Sequence, residues 1–64
     1  MPLISIRLAG GRDRDALAKL VAAVSTATAD TLDLPIERVT VHIFELDGDH
    51  MGRGGRLRSA GEPR

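Results

Sequence analysis

The 64-residue chain sets nine lysines and arginines against nine aspartates and glutamates, with two histidines, one phenylalanine and no cysteine. That balance gives no electrostatic case for nucleic acid, and no apolar run is long enough to span a membrane. The missing cysteines remove disulfides and thiolate metal sites, and two histidines make a poor metal set. A single domain this short, residues 1–64, buries only about 60% of the surface its unfolded chain exposes. Association with further copies is the remaining route to a stable core.

Met1-Pro2 opens the chain, and methionine aminopeptidases generally trim Met before a small residue. Trimming would leave Pro2 with a free secondary amine at the start of a strand. An α-amino group titrates near ~7.7–8, and desolvation or nearby cations lower that toward the range useful to a general base. Leu3 to Ala9 alternates, with Ile4, Ile6 and Leu8 on one face and Ser5 and Arg7 on the other, which predicts a strand. Gly10-Gly11 ends it.

Asp13 is a helix N-cap, and Asp15 adds negative charge at the same dipole end. Leu17, Leu20, Val21, Val24, Ala27, Thr28 and Thr31 or Leu32 follow at helical spacing as one apolar stripe. Ala22, Ala23, Ser25 and Thr26 fall on the opposite side. They are small rather than charged, so part of that side is expected to be covered as well.

Pro35 cannot continue a helix, and Pro35 to Arg38 reads as a short turn. A second strand follows over Val39–Glu45, with Val39, Val41 and Ile43 pointing one way and Thr40, His42 and Phe44 the other. Strand, helix and strand make a right-handed β-α-β unit with parallel strands. Leu3, Ser5, Arg7, Thr40, His42 and Phe44 would form its uncovered sheet face. Parallel sheets are seldom left bare, so a second subunit is called for. Asp47-Gly48 signals a turn, and the glycine-rich run Met51 to Leu57 predicts a short hairpin or arm. Residues 59–64 read as a loose tail. Gly52-Arg53-Gly54-Gly55 has neither a following helix nor a Walker lysine, so it is no phosphate loop.

Pro2-Leu3-Ile4-Ser5-Ile6-Arg7-Leu8, Gly11-Arg12, Leu32-Asp33-Leu34-Pro35, the second strand, and Gly48-Asp49-His50-Met51-Gly52-Arg53-Gly54-Gly55 occur in an order and spacing that resemble the 4-oxalocrotonate tautomerase family. The resemblance covers nearly the whole chain. It implies an α/β fold, an oligomer (a hexamer built from dimers), and Pro2 as the catalytic base with Arg12 binding substrate. Arg12 also sits poorly as a surface residue, because a cation beside a helix N-terminus is disfavoured.

Three positions depart from the family pattern. The second family arginine falls on Thr40, and nearby Arg38 is out of phase with that face. The pocket aromatic falls on Met51, which is apolar and adaptable. A family apolar position is Arg53, a cation able to serve as a replacement contact for an anionic substrate.

The resulting expectation is a cytoplasmic, cofactor-free and metal-free homo-oligomeric isomerase. It would convert a small anionic unsaturated 2-hydroxy or 2-oxo acid, with Pro2 as base and Arg12, Met51 and Arg53 at the substrate. Two alternatives stand beside it. One is a hydratase or dehalogenase with Pro2 acting as an acid. The other is a non-catalytic subunit of a hetero-oligomer.

Overall fold

The computed structural model describes residues 1–60. Strand β1 (Leu3–Ala9) leads into helix α1 (Arg14–Leu32), a 3-10 turn (Ile36–Arg38) and strand β2 (Thr40–Leu46). A second 3-10 turn (Gly48–His50), a two-residue hairpin of β3 (Gly52–Arg53) with β4 (Arg56–Leu57), and a third 3-10 turn (Arg58–Ala60) complete the chain. β2 therefore starts and ends one residue later than the sequence pattern predicts.

Helix α1 starts where expected. Asp13 is extended, and its carboxylate accepts the Ala16 N–H at 2.8 Å. Its other end is set by a residue that the proline rule passes over. Asp33 takes a left-handed conformation, φ 55°, and both its N–H and that of Leu34 turn back to the Ala29 carbonyl. The helix is thus closed by a Schellman-type wrap before Pro35 is reached, with aspartate in the place glycine usually takes.

β1 and β2 pair in parallel, in register from Leu3↔Thr40 to Ala9↔Leu46. Because side chains alternate, this register stacks Ile4, Ile6 and Leu8 with Val41 and Ile43 on one half-buried face. Leu3, Ser5, Arg7, Thr40, His42 and Phe44 share the other, as the alternation predicts. On the helix, Ser25 and Ala29 are the buried residues, at 8% and 6% exposure. Ser25 is on the side whose small residues predict partial cover, while Ala27, which the spacing puts in the stripe, is exposed. Ser25 lies one turn from Val21 and from Thr28 and Ala29, and at that position a small side chain can be enclosed where a large one would hold the helix away.

No described side chain is fully buried, while Leu3 is 59% and Phe44 45% exposed. The chain measures 45 × 23 × 14 Å with a radius of gyration of 15.2 Å. A compact chain of this length would have about 11 Å. One copy is therefore too open to hold its own core, and its bare sheet face is the largest unmet demand.

The arm that follows β2 is built by local chemistry. Gly54 and Gly55 have φ of 61° and 80°, the pair of positive angles that a two-residue type I′ turn requires. It places Gly52 opposite Leu57 and Arg53 opposite Arg56. The Arg58 N–H binds the Met51 carbonyl at 2.7 Å, and the Ser59 hydroxyl donates to Asp49 Oδ1 at 2.6 Å. Ser59 and Ala60 thus belong to an ordered 3-10 turn rather than to the expected tail, and the remaining tail residues, 61–64, lie outside the described residues. No helix is long and apolar enough to cross a membrane among the described residues.

Candidate active site

Pro2 stands at the N-terminal edge of the sheet. Its carbonyl accepts the Thr40 N–H at 3.1 Å, which ties the residue to the start of β2, and it is half-buried. Proline suits this place because it has no N–H to contribute to the ladder. The residues that the sequence assigns to the substrate lie elsewhere. Arg12 follows Gly10 and Gly11 after the far end of β1. The Gly10 N–H extends the ladder to the Leu46 carbonyl at 2.8 Å, and Gly11, at φ 105°, turns the chain out of the sheet. Arg12 is exposed, and its Nη1 donates to the Ala9 carbonyl at 3.0 Å. That bond holds the guanidinium over the turn it follows.

Met51 and Arg53 join the Gly10-Gly11 turn in lining an open cleft of about 850 Å³ between the sheet edge and the arm. Leu46, Gly48 and Arg58 also line it. Gly48 matters for its shape, since a Cβ there would meet Ser59 atoms at 3.0–3.2 Å. Any larger residue there would have to push Ser59 back from the sheet end. Asp47, which also lines the cleft, accepts from His50 Nδ1 at 2.7 Å and from the Asp49 N–H at 3.0 Å. The His50 hydrogen bond is the main cause that lowers the Asp47 carboxyl pKa. Asp47 thereby stays ionised and acts as the staple of the turn.

Arg53 faces Arg56 across the hairpin, and Arg58 lies against Met51, its Nη1 3.8 Å from the sulfur. Of these arginines, Arg53 and Arg58 line the cleft. Arg58 belongs to the C-terminal run of arginines, Arg53, Arg56, Arg58 and Arg64, whose clustering in the sequence suits an anionic small molecule, whereas Asp47 is a cleft residue that the sequence does not assign to the site. The Asp47-Gly48 turn signal is the sequence's clue for Asp47.

One chain does not bring the predicted site together. The structure gathers Met51, Arg53 and the turn bearing Arg12 at one end of the sheet, with Pro2 at the other. β1 alone spans about 20 Å at ~3.3 Å per residue. No arginine side chain is that long. A reacting centre that uses both Pro2 and the cationic cleft must take them from different copies. The open shape of the single chain asks for such copies on independent grounds.

Comparison with known proteins places these residues among characterised relatives. The family model described as Tautomerase enzyme matches residues 2–60. A 2-hydroxymuconate tautomerase of Pseudomonas sp. (strain CF600) is 40% identical over 59 residues, covering 92% of this chain and 94% of that protein. The crystal structure of a 4-oxalocrotonate tautomerase homologue superimposes with a TM-score of 0.91 at 28% identity, covering 98% of this chain and all of the other. A heterohexameric 4-oxalocrotonate tautomerase from Chloroflexus aurantiacus superimposes with a TM-score of 0.84 at 32% identity, covering 94% and 97% of the two chains.

Proposed function

The chain belongs to the tautomerase family, and from that premise we propose that it is a cofactor-independent keto-enol isomerase whose base is the nitrogen of Pro2 once Met1 is removed. The observation that supports this most is the fixed place of Pro2. It is half-buried at the sheet edge, anchored through its carbonyl to β2, and it is the first residue the family match includes. The substrate class is a small unsaturated 2-hydroxy or 2-oxo acid, the chemistry for which the Pseudomonas relative is named.

In this mechanism the neutral secondary amine takes a proton from the enol hydroxyl, leaving a delocalised dienolate. The protonated amine then returns that proton to a carbon of the chain, yielding the unsaturated 2-oxo acid. The proton count is unchanged and no oxidant or reductant is consumed. The arginines hold the substrate carboxylate and the charge that develops on oxygen. Arg12 and Arg53 would act from a neighbouring copy, since neither reaches Pro2 of its own chain, with Met51 as the apolar wall. The functional unit is therefore a homo-oligomer, and a hexamer is the form the resemblance implies. The proposed location is the cytoplasm.

Arg53 gives a local test. Arg53→Ala is expected to lower kcat/KM for a carboxylated dienol by the worth of one charged hydrogen bond, about 1.5–3 kcal/mol. The loss should shrink for an analogue without that carboxylate. Equal and small losses on both substrates would return Arg53 to the role of surface charge.

Thr40, standing where the family's second arginine falls, supports a second reading. Relatives include a heterohexamer, and a chain lacking one arginine would suit the weaker subunit of such an assembly. Purified chain that assembles and turns over alone would exclude it. The hydratase or dehalogenase alternative parts from the isomerase on pH. Activity falls below the Pro2 pKa if the amine is a base, and above it if the ammonium is an acid.

A further inference from the structure

The cleft between the sheet edge and the arm has a lining of mixed charge. Arg53 and Arg58 reach it from the arm, and Asp47, which directly follows β2, reaches it from the sheet. A cleft that served only to gather anions would gain from a neutral residue in that place, because a carboxylate repels a second negative group over ~10 Å at ordinary ionic strength. The local structure instead keeps the carboxylate charged and fixed. His50 Nδ1 and the Asp49 N–H both bind its Oδ1, at 2.7 and 3.0 Å, and the His50 bond holds its pKa below the usual carboxylate range. Both bonds go to one oxygen, which leaves Oδ2 for a donor on a bound molecule. An ionised carboxylate accepts hydrogen bonds and cannot donate one.

We infer that Asp47 is a specificity-determining residue of the cleft, selecting a substrate that has one carboxylate for the arginines and a hydrogen-bond donor, a hydroxyl or an ammonium group, at its other end. This rests on the cleft being the substrate end of the tautomerase site. Within the small unsaturated 2-hydroxy or 2-oxo acids it names the class, hydroxylated or aminated monoacids in preference to diacids. Charge and hydrogen bonding act in the same direction here. A donor at that end makes a charge-assisted bond to Asp47, whereas a carboxylate meets a like charge and has no proton to share. Once one carboxylate occupies the arginines, a second gains little from them and is repelled by Asp47.

The test uses the assembled, Met1-free protein and three saturated acids of equal length that bind without reacting: adipate, 6-hydroxyhexanoate and 6-aminohexanoate. NMR titration gives each Kd, and the shifts should fall on the amides of Gly10, Gly11, Gly48 and Gly52, which line the cleft. The hydroxy and amino acids should bind about tenfold more tightly than adipate, the low end for one hydrogen bond to a charged group. Salt at ~0.5 M should erode the ammonium's advantage and spare the hydroxyl's, which separates the two donors. Asp47→Asn keeps an oxygen to accept from His50 and the Asp49 N–H, so the turn stays closed while the charge is removed. Light scattering establishes that this variant assembles. Its preference for the amino acid over adipate should fall about tenfold. Equal affinities in the wild type, shifts that lie away from the cleft, or an unchanged preference in assembled Asp47→Asn would overturn the inference. Binding needs no turnover, so the two readings fail separately. A protein with this preference that isomerises no dienol would overturn the isomerase reading and leave Asp47 as the selector of the cleft's ligand.

Discussion

Pro2→Ala is expected to lower enol-to-keto turnover by about 10²–10⁴-fold, the range contributed by a positioned general base, while the protein still folds and assembles. The substitution keeps an amine of similar size at the terminus but makes it primary and frees its rotation. Secondary-amine basicity and ring-imposed direction are lost together. Folding should survive because the Pro2 carbonyl, which accepts from Thr40, is retained in alanine. The readout is kcat on a 2-hydroxydienoate, with circular dichroism and light scattering as controls. A variant that keeps most of its activity would move the base elsewhere.

Phe44→Asp is expected to abolish assembly. Phe44 lies on the sheet face that α1 does not cover. It meets His42 edge-on with ring centroids 6.4 Å apart, and the Arg7 guanidinium lies 5.7 Å from its ring centre. These three form the side-chain row that a neighbouring copy would cover. A carboxylate buried there costs several kcal/mol per subunit, roughly, repeated at every equivalent position of a symmetric oligomer. Arg7 offsets part of that charge, so the neutral Phe44→Ala measures the contribution of the ring alone and should weaken the assembly less. Light scattering of the variant at micromolar concentration should give a dissociated, poorly folded chain. A wild-type protein that is monomeric and well folded under the same conditions would contradict the need for a partner.

The elements that were legible in the sequence are those fixed by neighbours along the chain. Strict alternation through Ile4, Ile6 and Leu8 specified a strand and its buried face, and Asp13 announced the helix start through its own side chain. The small residues opposite the apolar stripe predict partial cover there, and Ser25, buried at 8% exposure, is where that cover falls. The helix end was credited to Pro35, whereas Asp33 makes it with a positive φ that glycine would have advertised. The tail was drawn too early because Ser59 is held by Asp49, a partner ten positions away.

The candidate site was legible by type but not by place. Pro2, Arg12, Met51 and Arg53 were identifiable residue by residue through the family resemblance. That they divide between the two ends of the sheet follows from the length of β1, which separates Pro2 from the turn before Arg12, and from the parallel register, which brings the end of β2 beside that turn. Thr40 read as a lost arginine in the sequence. In the structure it pairs with Leu3, and its N–H binds the Pro2 carbonyl.

The most direct test compares two preparations of the same chain, one with Met1 fully removed and one with Met1 retained, each verified by intact mass. With Met1 in place the Pro2 nitrogen is a tertiary amide, with neither a proton to give nor a basic lone pair. The account predicts that turnover of a 2-hydroxydienoate tracks the Met1-free fraction and is lost to within background in the retained form. Equal turnover by both preparations would contradict it.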